Sequence, residues 1–218
     1  MLEAVLFDWS NTLVRLDWDD RLVAAGHRVA LGRDDPEFTA RWRELMLGAE
    51  HGYRPYAELL GELGVDDPEG FIDREHEVWR PQYTLLPSAR ELLESLRNCG
   101  LRTGLVANSW PDPGRVLRAD AEALGLASLL DTMIFSADVS ARKPAPEIFL
   151  RACERVGVAS ETTLYVGDDL VSDVQGAAGV GMRTVQALWF RADDRHGITP
   201  DFTASTAAEV LDIARRLA

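Results

Sequence analysis

The sequence predicts an α/β fold: a parallel sheet with helices on both faces and a small helical insertion near its start. Three observations carry this. Ala4, Val5, Leu6 and Phe7 are apolar without alternation, the mark of a strand buried on both faces. From about residue 81 onward, short apolar runs alternate with amphipathic helical patterns, as in a doubly wound sheet. Between these two parts, residues 16–80 show helical periodicity alone.

In chain order, the first strand is followed by three apolar helical faces. Val23, His27, Ala30 and Leu31 mark one, Phe38, Trp42, Leu45 and Met46 a second, and Tyr56, Leu59, Leu60 and Leu63 a third. Gly32, Gly52, Gly64 and Gly70 fall between them as stops or turns. The expected division is a core of residues 1–14 and 81–218 and a helical insertion of residues 15–80, hinged near 14–16 and 80–83. Ser88 and Glu91 form a capping-box pattern for a helix to about residue 98, with Gly100 as its stop. A strand at 102–107, a helix at 114–124 and a strand at 132–135 follow. Pro144 and Pro146 then open a helix at 146–156, where proline costs least. Strands at 162–166 and 183–187 flank a helix at 171–178, and Thr206 with Glu209 caps a closing helix to residue 217.

Composition narrows the function classes. The 218 residues, 46% hydrophobic and 27% charged, are ordinary for a globular protein long enough to bury a real core. A net charge of −13 repels phosphate backbones and anionic lipid, which argues against nucleic-acid or membrane partners. No apolar stretch reaches the length of a membrane span, and the amino terminus reads as a core strand instead of a signal peptide, so a cytoplasmic protein is expected. Cys99 and Cys153 lack metal-ligand spacing and are expected to be reduced and to face the interior.

The chemistry gathers at strand ends. Asp8 closes the first strand, and ligands of open α/β sheets bind outside such carboxyl ends. From this segment alone, Asp8 reads equally as a substrate-facing carboxylate or as an aspartate opening the turn that Asn11 and Thr12 suit. The 162–166 strand runs into Gly167, Asp168 and Asp169, with Asp173 on the first helical turn beyond. Such a compact oxygen-ligand set suits Mg²⁺. Asp169 is either an outer partner of that set or simply solvated. Lys143, held between Arg142 and Pro144, could neutralise a carboxylate-rich site.

Taken together, Asp8 after a hydrophobic strand, Lys143-Pro144, and Gly167-Asp168-Asp169 with Asp173 resemble the haloacid dehalogenase superfamily over essentially the whole chain. The resemblance implies a Rossmann-like core, a helical cap over the active site, and Asp8 as a nucleophile that becomes transiently esterified. It further implies Mg²⁺ held by Asp8, the backbone carbonyl of Ser10 and Asp168, with Asp173 in or just behind that shell. Lys143 would balance the remaining charge, and Asn108 and Ser109 would donate hydrogen bonds to the transferring group. The implied activity is a phosphatase of small, anionic phosphorylated metabolites. Two positions depart from the family pattern. Ser10 stands where most of its phosphatases carry a second aspartate as general acid and base. Ala107 stands where a Ser or Thr usually ends the next core strand, leaving either Ser109 as a substitute or the Asn108 amide with backbone N–H groups.

Two other classes compete. A 2-haloacid dehalogenase expels halide without a proton, so Ser10 is no handicap, and Gly52-Tyr53-Arg54 ahead of Leu59-Leu60 is similar to that branch. The Gly167-Asp168-Asp169 loop, the metal-binding version, stands against it. Phosphonoacetaldehyde hydrolase needs a cap lysine, and residues 15–80 contain none. The third class is a binding or regulatory protein on the same fold. Arg15, Arg41, Arg43, Arg54 and His51 are candidates to clamp an anionic substrate, and Trp9 and Trp110 to line an apolar pocket. His196 has no assigned role.

Overall fold

The computed structural model describes residues 1–15, 17, 19–48, 54–109, 113–191 and 197–218, the side chains of 47 and 48 excepted. His51, Gly52, Tyr53, Trp110 and His196 lie outside the described residues.

Strand β1 (Ala4–Phe7) leads through a tight loop to a two-residue strand, β2 (Val14–Arg15), which pairs antiparallel with β3 (Thr84–Leu85). Five further strands follow: β4 (Arg102–Ala107), β5 (Thr132–Phe135), β6 (Thr163–Gly167), β7 (Arg183–Ala187) and β8 (Phe202–Ala204). With β1 they form one sheet in the order β5-β4-β1-β6-β7-β8, and every pairing is parallel. β1 is central because all four of its residues are apolar and fully buried, which only an inner strand covered on both faces allows.

Successive side chains point to opposite faces, and each face has its own helices. Val5, Phe7, Leu105, Leu164 and Val166 pack with Leu93 and Leu96 of α5 (Ala89–Asn98) and Val210 of α10 (Ala207–Leu217). Leu6, Val106 and Tyr165 face the other way, against Ile148, Phe149 and Ala152 of α8 (Pro146–Val156).

Among the described residues, four helices lie between β2 and β3: α1 (Asp20–Leu31), α2 (Pro36–Gly48), α3 (Tyr56–Glu62) and α4 (Pro68–Trp79). They share a separate apolar cluster of Phe38, Tyr56, Leu59, Leu60, Phe71 and Ile72, which Val116 of α6 (Gly114–Ala123) joins from the sheet side. Asp120 of α6 is fully buried and accepts from Arg80 Nε at 2.5 Å, while Arg115 spans to Glu69 and Asp73 of α4. α1 and α4 approach closely over Gly26, where a Cβ would sit 2.5 Å from Trp79 Nε1.

The strands at 102–107, 132–135 and 183–187 and the helix at 146–156 fall where the sequence places them. Four features differ. Arg15, at the expected hinge, pairs with Thr84 in the β2–β3 ladder, and two-residue strands are too short for periodicity to reveal. The expected 171–178 helix is a π-helical turn (Leu170–Gln175) continued by α9 (Gly176–Gly179). Ser88 makes no side-chain cap, whereas Thr206 accepts from Glu209 N–H as expected. Cys99 is exposed at the end of α5, and only Cys153 faces the interior; both are free. Among the described residues no helix is long and apolar enough to cross a membrane.

Candidate active site

Parallel register brings the chemistry to the middle of one sheet edge. Phe7 is level with Val166, and Asp8 N–H donates to the Val166 carbonyl at 2.9 Å, so Asp8 and the 167–169 loop leave adjacent strand ends together. The chain then turns sharply at Asn11, with φ of 57°, and the Trp9 carbonyl accepts from the N–H groups of Thr12, Leu13 and Val14. Asparagine is among the few non-glycine residues that take this left-handed conformation cheaply. Thr12 Oγ1 donates weakly to Asp8 Oδ2 at 3.4 Å, and Trp189 holds the Thr12 carbonyl. The Ser10 side chain is exposed at the tip.

On the next strand end, Asp169 caps the π-helical turn through Oδ1, accepting from Val171 and Ser172 N–H. The wide turn carries Asp173 back so that its Oδ2 accepts from Asp169 N–H at 3.0 Å. Gly167 is required here because a Cβ would lie 2.4 Å from the Asp173 carboxylate. Asp8, Asp168 and Asp173, all buried, each present a carboxylate oxygen, and these oxygens lie within 4.8 Å of one another.

Lys143 sits in their midst, donating to Asp8 Oδ1 at 2.5 Å, Asp173 Oδ1 at 2.6 Å and the Tyr165 hydroxyl at 3.0 Å. Three acceptors match the three N–H bonds of an ammonium. It is the single lysine of the chain, among 23 basic residues. Tyr165 in turn donates to the Val106 carbonyl of β4, tying the cluster to the sheet.

These surroundings shift the acids and the base. Burial is the largest influence on Asp8 and raises it to about 7; Asp173 and Asp168 add to the rise and Lys143 opposes it. Burial, with Asp173, likewise lifts Asp168 to about 6, against the pull of Arg191. Burial alone would lower Lys143, but Asp173 and Asp8 outweigh it and hold the ammonium well above its ordinary value.

Asp8, Lys143, Asp168 and Asp173 are thus brought together. Asn108 and Ser109 lie on the loop after β4, and their side chains engage neighbouring residues. The Asn108 amide clamps the Lys143 backbone, donating through Nδ2 to its carbonyl at 3.2 Å and accepting its N–H through Oδ1 at 2.8 Å. Ser109, 2% exposed, turns its hydroxyl to Ser136 Oγ and Ala137 N–H on α7 (Ser136–Val139). The loop after β4 therefore directs both side chains at its neighbours, and Ala107 offers no hydroxyl. Trp9 is buried in the core, edge-on to Tyr83. Arg15, Arg43 and Arg54 pair with Asp17, Asp20 and Glu62 at the surface, and Arg41 is exposed.

Two participants escape sequence reading. Tyr165 carried a signal, since a hydroxyl inside a fully buried strand must find a partner. Arg191 carried none: its Nε lies 2.9 Å from Asp168 Oδ2 and its Nη2 3.0 Å from Asp169 Oδ2.

The donor set fits a divalent cation. All ligands are hard oxygens, and Asp168 Oδ2 is buried without a hydrogen bond, its contact with Arg191 being an ion pair of poor alignment. The chain belongs to the haloacid dehalogenase-like hydrolases, whose family model matches residues 2–181. It is 30% identical to the glyceraldehyde 3-phosphate phosphatase of Methanopyrus kandleri over 100% of this chain and 99% of that one. The crystal structure of a phosphatase of this family from Thermococcus onnurineus superposes with a TM-score of 0.77 at 28% identity, covering 97% of each chain. A 2-haloacid dehalogenase from Pseudomonas syringae covers all of both chains with a TM-score of 0.75, but at 24% identity it speaks for the fold alone. The chain is a hydrolase, and its relatives support the phosphatase activity over the dehalogenase one.

Proposed function

We propose a Mg²⁺-dependent phosphatase of small phosphorylated metabolites that works through an aspartyl-phosphate on Asp8. The observation that carries this is the buried group Asp8, Asp168 and Asp173 around one ammonium, with an Asp168 oxygen left unbonded. Asp8, Asp168 and the Ser10 carbonyl would hold the cation, with Asp173 in or just behind that shell. Bound there, it supplies Lewis acidity and offsets the charge between carboxylate and phosphoryl group.

The rest falls to the chain. Asp8 Oδ2 attacks phosphorus as the P–O bond to the substrate's alkoxide breaks and that oxygen takes a proton from water, while Oδ1 stays on Lys143, so the lysine fixes the carboxylate's orientation and favours its ionised form. Tyr165 and the Asn108 clamp keep Lys143 in place from both ends, side chain and backbone. Water then attacks the aspartyl-phosphate, with no carboxylate at residue 10 to take its proton.

Residues 15–80 form the cap and residues 1–14 and 81–218 the core in this proposal. The separate aromatic and leucine cluster of the four helices supports the division, as does the short β2–β3 ladder at its neck. The strongly acidic composition argues against nucleic acid. Two free cysteines fit the cytoplasm.

A panel of phosphorylated metabolites and haloacids, each with and without Mg²⁺, tests the proposal. Phosphate release that requires Mg²⁺ supports it. Halide release independent of Mg²⁺, without phosphate release, would establish the dehalogenase, the reading that Ser10 favours. Tight binding with no turnover of any compound would establish the non-catalytic class.

A further inference from the structure

We infer that Arg191 is a built-in counter-cation that competes with the divalent cation for Asp168 and thereby sets the affinity of the metal site. The inference deepens the proposed function and rests on its metal reading.

The two contacts of the guanidinium are unequal. Nη2 makes an aligned hydrogen bond to Asp169 Oδ2 at 3.0 Å, and Asp169 is itself fixed by its cap on Val171 and Ser172. Nε stands 2.9 Å from Asp168 Oδ2 but leaves that buried oxygen without a hydrogen bond. Arg191 is thus anchored on Asp169 and bears on Asp168 by charge. The two partners also differ in freedom. The Asp168 side chain is 5% exposed, that of Arg191 48%. The arginine can draw back into water while the carboxylate cannot.

Both cations use the same oxygen. Mg²⁺ demands short bonds in near-octahedral array, and a guanidinium nitrogen at hydrogen-bond distance occupies the same lone-pair space. A guanidinium is weakly hydrated, so it can serve a buried carboxylate when no metal is bound. Lys143 does not fill this role, because its three N–H bonds are spent on Asp8, Asp173 and Tyr165. The arrangement stabilises the acidic centre of the metal-free protein at the expense of metal affinity.

Calorimetric titration of MgCl2 into the full chain at fixed ionic strength tests this, using wild type, Arg191→Gln, Arg191→Lys, Asp168→Ala and Arg183→Gln. Arg183 is exposed at the opposite end of β7 and controls for net charge. Arg191→Gln should bind Mg²⁺ about twofold to fivefold tighter, the scale of a partly exposed ion pair. Arg191→Lys, which keeps the charge, should stay closer to wild type, and Arg183→Gln should match it. Unchanged or weaker binding by Arg191→Gln, or equal tightening by Arg183→Gln, overturns the inference. If wild-type binding is lost in Asp168→Ala while Arg191→Gln changes nothing, the metal reading stands and the role of Arg191 falls. No Mg²⁺ binding by wild type and Arg191→Gln alike overturns both.

Discussion

Ser10 stands at the tip of the loop after Asp8, with its side chain in solvent. General acid–base catalysis is worth about 10²- to 10⁴-fold, and a hydroxyl cannot supply it at neutral pH. The missing carboxylate would act twice, protonating the departing alkoxide and then activating the water. Aryl phosphates, whose leaving groups barely need a proton, should therefore react far faster than alkyl phosphates. Stopped-flow mixing with an aryl phosphate should show a burst near one equivalent per site before a slow steady state. Ser10→Asp should raise alkyl phosphatase turnover by about 10²-fold or more, and rapid wild-type hydrolysis of alkyl phosphates without a burst would refute this reading. Lys143 gives the complementary case. Its three acceptors surround a point charge, and a planar guanidinium cannot meet Asp8, Asp173 and Tyr165 at once. Lys143→Arg should cost about 10²- to 10³-fold in kcat, the scale of one lost electrostatic donor; near-normal steady-state turnover would show that charge alone suffices. Asp8, Lys143, Asp168 and Asp173 were legible in the sequence because the aspartates follow recognisable strands and Lys143 directly precedes a proline-fixed helix entry. The contacts of Asn108 and Ser109 with Lys143 and Ser136 were not, since which neighbour an amide or hydroxyl finds depends on a loop path that no periodicity encodes.

The elements show the same division between what periodicity reveals and what it hides. Strands buried on both faces and helices with a clean apolar stripe were readable, and β4, β5, β7 and α8 begin and end where the pattern does. The β2–β3 ladder was not, because two residues per strand carry no period and only the return of the chain at Thr84 creates the pair. The π-helical turn was hidden for a similar reason: its extra residue is set by the Asp169 cap and by the place Asp173 must reach. Close helix contact was also hidden, and Gly26 illustrates it. It lies on the same face of α1 as Val23, His27 and Ala30, where the pattern reads as a gap. In the structure Trp79 of α4 fills that gap, and its Nε1 donates to the Leu22 carbonyl at 3.2 Å. Gly26→Ala should destabilise by about 1–3 kcal/mol, through overpacking that exceeds alanine's better helix propensity. Urea denaturation measures this, and a variant as stable as wild type would mean that α1 and α4 are free to part.

At the scale of the whole molecule, stability against pH sums groups that pull in opposite directions. Asp8 and Asp168, raised by burial to about 7 and about 6, bind protons more readily folded than unfolded. Their contribution is present at low pH and lost as pH rises through those values. Asp35 and Asp131 lie below their ordinary values. The Phe38 N–H is the chief cause for Asp35; for Asp131, burial pulls upward, but the Thr103 N–H and Arg97 together outweigh it. Their contribution is present above the unfolded value and lost as pH falls. His27 is the group whose part can be isolated. It lies between Thr39 of α2, whose Oγ1 is 2.9 Å from Nδ1, and Glu75 of α4, whose Oε2 is 4.0 Å from Nε2, with the rings of Phe38, Trp42 and Phe71 around it. Burial is the largest cause of its fall to about 4, and Arg43 adds to it. The folded protein thus takes up this proton less readily than the unfolded chain, whose histidine titrates near 6.5. The stability that neutral His27 permits is complete above pH 6.5 and is lost as pH falls toward 4. The loss reaches about 3 kcal/mol, since each pH step between the two values is worth about 1.4 kcal/mol. His27→Gln retains a hydrogen-bonding side chain and does not titrate. Urea unfolding of both proteins at a series of pH values should show the wild type losing stability relative to the variant between pH 6.5 and 4, with a constant difference above about pH 7. A difference that stays constant throughout would mean that His27 keeps its ordinary value in the fold, with Glu75 balancing the cost of burial.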